Sequence, residues 1–425
     1  MRVLFLTHRL PYAPNRGDRI RAYHILNELA RCGEVDLVSL THDDEEEAHA
    51  PELREIATTV HTARVPRMRN MARALTTLPT SRPLTHALLD APDLRAIVAG
   101  LTARRRPDVV LAYCSGMARL LFDEALRSIP AIVDFVDVDS EKWRALACVT
   151  PPPRRWVYRR EQRVLAAFEA AAARHARAAV VVNERERNSL VHIAEGARVE
   201  IVPNGIDLDA FQPCGAPARA RTVIFCGVMN YAPNEHAATW LAEAVWPHVT
   251  RRRHDARLFL VGADPTDRVR GLAVDPSITV TGTVPDVRPF LWRSAVAVAP
   301  LTTARGIQNK VLEALASGLP TVVTPAVAQG LPAEVKPACA VARDPEAFAA
   351  AIVELLDMEA FARREMAMSA NLSALGWSER LAPLVTLLRE AAGCPSMAPD
   401  NAIATFRQFE LEHSDFGMRS SYSKF

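Results

Sequence analysis

Lysine is almost missing from this chain. Of its 51 lysine and arginine residues only Lys142, Lys310, Lys336 and Lys424 are lysines, and arginine fills every other basic position. Compositional bias accounts for the general preference, so a lysine standing at a loop-helix junction becomes conspicuous. Excess charge is scarce too. Against 49 acidic residues the formal balance is only +2, which describes an ordinary soluble protein and gives no reason to expect a nucleic-acid partner.

Paired cysteines are lacking as well. Cys32, Cys114, Cys148, Cys214, Cys226, Cys339 and Cys394 are odd in number and form no Cys-x-x-Cys pair. That argues against a disulfide framework or structural zinc and fits a reducing cytoplasm. No stretch approaches the ~18 apolar residues of a membrane span, and the apolar core of residues 1–10 is too short for a signal peptide. Any membrane association is therefore expected to be peripheral. The loop Asn15-Arg16-Gly17-Asp18-Arg19 lacks Gly-x-Gly-x-x-Gly, which weighs against a nicotinamide or flavin enzyme.

What the chain does have is a strand-helix alternation that occurs twice. Compact apolar runs at residues 3–6, 35–40, 108–113, 131–137 and 178–182 are separated by helical patterns. The first of these opens near Asp18, repeats Ile20, Tyr23, Leu26, Asn27 and Ala30 at helical spacing, and stops at Gly33. A second series follows at 222–226, 257–261, 278–281, 295–299 and 321–323, with helices predicted at 235–250, 289–294 and 309–317. Uninterrupted apolar strands are those buried on both faces, so each half is expected to be a parallel sheet covered by helices. A chain of 425 residues also exceeds what one core usually organises. The expected division is a first domain at 1–200, a linker at 201–220 and a second domain at 221–375. A C-terminal helix at 376–394 would pack back on the first domain, ahead of a polar tail at 395–425. Residues 344–392 read as wholly helical.

The most informative segment follows the run at 295–300. It reads Arg305-Gly306-Ile307-Gln308-Asn309-Lys310-Val311-Leu312-Glu313-Ala314-Leu315-Ala316-Ser317-Gly318-Leu319-Pro320. Spacing of three puts Lys310 and Glu313 on one helix face. A glycine-containing loop entering a helix offers backbone N–H groups and the positive end of a dipole, which suits a diphosphate. Lys310 adds a full charge, and Glu313 can accept hydrogen bonds from ribose hydroxyls. A surface Lys-Glu pair on an amphipathic helix has the same local pattern.

This segment resembles the C-terminal signature of retaining GT-B glycosyltransferases of the group 1 family. There an acidic residue before Ala-x-Ala-x-Gly-x-Pro binds the donor ribose, and Glu313 matches it. The turn Val202-Pro203-Asn204-Gly205-Ile206-Asp207 resembles the family's interdomain turn, so the likeness covers most of residues 1–390. It implies an α/β fold of GT-B type, two Rossmann-like doubly wound domains facing a central cleft. It also implies transfer of a sugar from a nucleotide-diphosphate sugar, a co-substrate used with no further cofactor and no metal. Phe225-Cys226-Gly227 looks like the family's phosphate-side glycine turn, and Gly282-Thr283-Val284-Pro285-Asp286 like the segment lining the base pocket. Gly17 falls where the family's glycine-rich loop faces the diphosphate. The donor-binding set is thus Gly17, Gly227, Val284, Arg305, Gly306, Ile307, Asn309, Lys310 and Glu313.

The chain departs from the family at two places. The earlier of its two acidic residues, with seven positions between them, is Arg305 here, which leaves the sugar unspecified and suggests that Arg305 reads a carboxylate on donor or acceptor. The Arg and Lys that commonly follow the glycine turn are replaced by Val228-Met229-Asn230-Tyr231-Ala232-Pro233-Asn234, so Lys310 is expected to supply the phosphate charge and to be catalytic. In the first half, Val133-Asp134-Phe135-Val136-Asp137-Val138-Asp139-Ser140-Glu141-Lys142-Trp143 resembles sugar transferases associated with exosortase (PEP-CTERM) exopolysaccharide systems. The acceptor implied is a saccharide or lipid-linked saccharide. Asp137 and Asp139 are candidate catalytic residues, with helix capping as the alternative role. Arg154, Arg155, Arg159, Arg160 and Arg163, interleaved with Trp156, Tyr158 and Phe168, suit either a solvated helix face or contact with the inner membrane. Two rival functions share this fold: a nucleotide-sugar epimerase, and a non-catalytic scaffold in a polysaccharide assembly complex.

Overall fold

The computed structural model describes residues 1–12, 17–302 and 308–394. The chain forms two compact units. Among the described residues, one comprises Met1–Asn204 with residues 380–394, the other Gly205–Glu379.

In the first unit, β1 (Arg2–Thr7), β2 (Glu34–Thr41), β3 (Thr59–Arg64), β4 (Val109–Tyr113), β5 (Ala131–Val136), β6 (Ala178–Val181) and β7 (Val199–Ile201) form one sheet. The strand order is β3-β2-β1-β4-β5-β6-β7, and the pairings are parallel. Every residue of β4 is buried, as its unbroken Val-Val-Leu-Ala-Tyr run requires of a strand covered on both faces. The second unit repeats the plan with β8 (Thr222–Cys226), β9 (Arg257–Val261), β10 (Ile278–Val280), β11 (Val296–Ala299), β12 (Thr321–Val323) and β13 (Cys339–Val341). Their order is β10-β9-β8-β11-β12-β13. All strands stay parallel, but the order in which they are added reverses between β1 and β4 in the first sheet and between β8 and β11 in the second. Ligands of open parallel sheets gather beyond the carboxyl ends of strands at such points.

Three strands were illegible as apolar runs, and all three are edges or next to edges. β3 is mostly half-buried, and β7 and β13 are three residues long. The predicted helix at 235–250 is instead Ala232–Trp240, a π-helical turn at Leu241–Val245, and Trp246–Arg252. Pro247 has no N–H for the regular bond one turn back, and the widened turn precedes it. Residues 344–392 are three helices, Pro345–Asp357, Ala360–Met368 and Trp377–Ala391. The first ends where Arg363 Nη1 turns onto the carbonyls of Leu355, Leu356 and Met358. Among the described residues no helix is long and apolar enough to cross a membrane.

One buried ion pair organises the first unit. Arg21, on the helix Gly17–Cys32, is 1% exposed and Asp134 of β5 is 0% exposed. Arg21 Nε donates to Asp134 Oδ2 at 2.9 Å, and Nη2 lies 2.8 Å from the same oxygen. The other carboxylate oxygen accepts from Val136 N–H at 3.0 Å. Arg21 Nη1 then donates to Asn204 Oδ1 at 2.9 Å, tying down the end of the unit. The very next residue belongs to the second unit. A β-carbon on Gly205 would fall 2.6 Å from Trp377 Cα, so only glycine permits that backbone approach.

Removing one partner of a buried pair strands the other's charge, which costs about 3–5 kcal/mol. Arg21→Met is therefore expected to lower unfolding stability by that amount in urea titrations. Adding Asp134→Asn, whose Oδ1 keeps the bond from Val136, should recover most of the loss. An unrescued double variant would show that lost packing, not stranded charge, sets the cost.

Candidate functional site

Two residues predicted far apart in sequence meet at the switch point of the second sheet. β8 runs buried through Phe225 and ends at Cys226. Gly227 follows, its N–H donating to Val261 O at 3.0 Å, and Met229 N–H to Ala263 O at 2.8 Å. The loops after β8 and β9 therefore travel together. From the other side of the switch, β11 leads towards the helix Asn309–Ala316. Lys310 in its first turn reaches back to the β8 end: its Nζ lies 4.6 Å from the centre of the Phe225 ring.

The Lys310 ammonium donates to Asn234 Oδ1 at 2.8 Å. Asn234 is buried on the helix Ala232–Trp240, and its Nδ2 donates to Val228 O at 3.0 Å, which fixes which end of the amide faces the lysine. Gly227 lies against this contact. A β-carbon there would fall 2.7 Å from Asn234 Nδ2 and 3.1 Å from Lys310 Nζ, so the turn must be glycine for lysine and asparagine to meet. Gly262 has φ +148, and a β-carbon on it would overlap the Gly227 carbonyl.

Burial sets the electrostatics. Desolvation lowers the Lys310 pKa to about 8, against opposing help from Cys226 and Glu313. Desolvation raises Glu313 to about 7, with Lys310 pulling it down, and pushes the Cys226 thiol up to about 12. At neutral pH the ammonium is mostly charged and the carboxyl sits near its midpoint. The site can hold an anion at Lys310, and Glu313 can switch between donating and accepting a hydrogen bond.

The helix owes its placement to an apolar face of Val311, Leu312, Ala314, Leu315 and Ala316, all buried. Its end explains the rest of the motif. Gly318 has φ +81, Gly318 N–H bonds Leu315 O at 2.9 Å, and Leu319 N–H bonds Ala314 O at 2.9 Å. This is a Schellman stop, followed by a proline that cannot continue a helix. The Gly-x-Pro at 318–320 thus terminates the helix, one turn beyond Glu313.

Of the other predicted donor residues, Val284 packs into a small apolar cluster with Cys226, Val261 and Ala314, one layer from the site. Asn309 is exposed at the helix start. Gly17 opens the first helix of the other unit. Arg305, Gly306 and Ile307 lie outside the described residues. Asn234 was missed: its segment attracted notice only for the basic residues it lacks, and an asparagine amide facing a lysine leaves no periodic signal.

In the first unit, Asp137 and Asp139 stand beyond the end of β5. Asp139 begins the helix Asp139–Val149 and accepts from Ser115 Oγ at 2.8 Å and Lys142 Nζ at 3.0 Å. Asp137 lies 3.4 Å from the same ammonium. Lys142 therefore holds both carboxylates. Below them, Glu169 is fully buried and accepts from Ser140 N–H and Oγ. Burial, chiefly, raises its pKa to about 8, so it is protonated at neutral pH.

Known families and structures share this plan. Residues 220–358 match the glycosyl transferases group 1 family and residues 16–205 the glycosyl transferase 4-like domain. Sucrose-phosphate synthase from Thermosynechococcus elongatus is 17% identical, over 97% of this chain and 100% of its own, with a TM-score of 0.57. Anabaena HepE in complex with UDP is 14% identical, over 92% and 99%, at 0.56. OtsA is 11% identical, over 94% and 100%, at 0.60. The two domains thus have the GT-B fold. No curated protein sequence matches.

Because its hydrogen bond to Asn234 favours the charged lysine, Asn234→Ala should move the Lys310 pKa below about 8, and Asn234→Asp should move it up. With only four lysines in the chain, carbon-13 lysine labelling gives a spectrum sparse enough to titrate Lys310 directly. An unmoved resonance in both variants would remove Asn234 from its control.

Proposed function

As residues 220–358 match the glycosyl transferases group 1 family and residues 16–205 the glycosyl transferase 4-like domain, we propose that the chain transfers a hexosyl residue from a nucleoside-diphosphate sugar to a hydroxyl of a saccharide. The bond from the anomeric carbon to the diphosphate oxygen breaks, and a bond to the acceptor oxygen forms. The acceptor proton passes to the departing diphosphate oxygen or on to solvent, and the nucleoside diphosphate leaves. The family match supports retention of configuration.

One observation carries the reading: the Lys310 ammonium is held by Asn234 at the glycine turn after β8, beside the Glu313 carboxyl. Charge develops on the departing diphosphate, and a preorganised donor there lowers the barrier without reorganising at the moment of reaction. Glu313 is assigned to the ribose hydroxyls. That HepE is found with UDP supports a uridine donor as the first to try. Asp137 and Asp139 are assigned to the acceptor side, with Lys142 offsetting one of their two charges.

We place the reaction on the cytoplasmic side of a bacterial inner membrane, in assembly of an envelope exopolysaccharide. Support comes from the resemblance of residues 133–143 to exosortase-associated transferases. It comes also from an open pocket of about 520 Å³ between the helices Asp139–Val149 and Arg154–His175, lined by Arg144, Cys148, Trp156, Arg159, Gln162 and Arg163. Its arginines suit a phosphate-bearing acceptor near a membrane surface.

Nucleotide sugars should first be screened by thermal shift, since a ligand of the folded state raises its melting temperature. The positive donor should then release nucleoside diphosphate when acceptor is added. Lys310→Ala should slow that release by roughly 100- to 1,000-fold, with Lys310→Arg recovering part because its guanidinium is larger and planar. Conversion of donor without acceptor or nucleotide release would mark an epimerase instead, and near-normal turnover in Lys310→Ala would remove it from the mechanism.

The same lysine sets a pH window. Its ammonium is present below about 8 and lost above it, so nucleoside-diphosphate affinity measured by calorimetry should fall as pH rises through that value. The fall should be absent in Lys310→Arg. As for stability, a lysine with a lowered pKa contributes above its unfolded pKa and loses that contribution as pH falls through about 8, the reverse of the trend in affinity.

A further inference from the structure

The helix Arg67–Thr77 in the first unit is amphipathic in the wrong direction. Its inward face carries polar residues: Asn70 is 1% exposed and Thr77 8%. Asn70 Nδ2 donates to the carbonyls of Leu88 at 3.0 Å and Asp90 at 2.7 Å. Its outward face carries Met68, Met71 and Leu75, at i, i+3 and i+7, exposed by 79%, 52% and 69%. A helix on a water-facing surface shows the opposite arrangement. Exposure of three large apolar side chains in one row costs solvation unless something covers it.

Charge identifies the cover. Arg67, Arg69 and Arg73 flank the apolar row, and the helix has no carboxylate. Arg73 pairs with Asp90 at 2.9 Å, whereas among the described residues Arg67 and Arg69 have no ion-pair partner. A second copy docking through this same face would set arginines against arginines. An anionic bilayer satisfies both halves of the pattern, since methionine and leucine enter the acyl boundary while arginines reach headgroup phosphates. The helix is also held firmly enough to act as a foot. Arg160 Nη2, from the helix Arg154–His175, donates to the carbonyls of Thr77, Thr80 and Arg82, and Glu161 caps the next helix through Leu84 and Thr85 N–H.

We propose that the helix Arg67–Thr77 is a membrane foot, inserting Met68, Met71 and Leu75 into an anionic lipid surface that Arg67 and Arg69 grip. This assigns lipid insertion to a helix distinct from the arginine pocket near Trp156, and it requires neither donor nor acceptor.

The full chain should co-sediment with phosphatidylglycerol-rich vesicles and not with phosphatidylcholine vesicles. Met71→Gln with Leu75→Gln should weaken the partition by about 10- to 100-fold, the scale of two buried apolar side chains. Arg67→Gln with Arg69→Gln should weaken it about 25-fold at low salt, taking about fivefold per charge. These side chains are exposed, so the thermal shift given by a bound nucleotide sugar should be unchanged, which separates failure of the foot from failure of the transferase reading. The proposal is overturned if the wild type ignores vesicles or binds both kinds equally, or if the Gln pair at 71 and 75 binds like wild type. It is overturned too if only Arg159→Gln with Arg163→Gln abolishes binding, or if the Gln pair instead abolishes a concentration-dependent dimer seen by light scattering.

Discussion

A half-buried ammonium needs partners to stay charged, and at the second sheet's switch point these are the nearby Glu313 and the amide oxygen of Asn234. Burial drags Lys310 down to about 8 even with Cys226 and Glu313 pulling the other way. The amide oxygen at 2.8 Å and the face of Phe225 hold the charge in place while leaving it available to an anion. Everything nearby is shaped by this contact. Gly227 lacks a side chain because the lysine and asparagine occupy its space, and Gly262 because the Gly227 carbonyl does. The Schellman stop at Gly318 fixes the length of the helix that delivers the lysine. No basic residue follows the glycine turn at 228–234; there an asparagine positions a lysine from elsewhere in the chain.

The first unit solves a related problem differently. Arg21 and Asp134 are both removed from water, so their attraction must repay two desolvations, and the pair gains from bonds to Val136 and Asn204. Such pairs seldom add much stability over an apolar core of equal volume, but they punish any rearrangement that separates them. Here the arrangement specifies where the last residue of the unit sits, one position before Gly205 commits to the second unit against Trp377. Lys142 plays the opposite part at the surface. It bridges Asp137 and Asp139 and offsets one of their two charges where water still reaches them, over a Glu169 that burial keeps protonated.

The central strands were legible because a strand covered on both faces has no polar positions to spare. β4 and β8 are continuous apolar runs for that reason. β3 was not, since a half-buried edge strand such as Thr59–Arg64 tolerates threonine, histidine and arginine. The long helical reading of residues 344–392 failed at Met358 because a side chain, Arg363, ends the helix from outside, and no local propensity encodes that. The same limit applies to the outward apolar row of Met68, Met71 and Leu75. Sequence shows its spacing, but not which side of the helix faces the protein.

By itself the sequence determined that there are two parallel α/β halves, that a loop-helix junction carries Lys310 and Glu313 on one face, and that a glycine turn follows the first strand of the second half. These are local properties, set by periodicity and by residue chemistry within a few positions. Only the tertiary structure decided that Asn234 receives the lysine, that Gly227 makes room for both, that Arg21 reaches Asp134 and Asn204, and that an apolar row faces outward. The first three join residues distant along the chain, and the last depends on which face of one helix packs inward; neither is encoded locally, because both follow from which elements lie side by side.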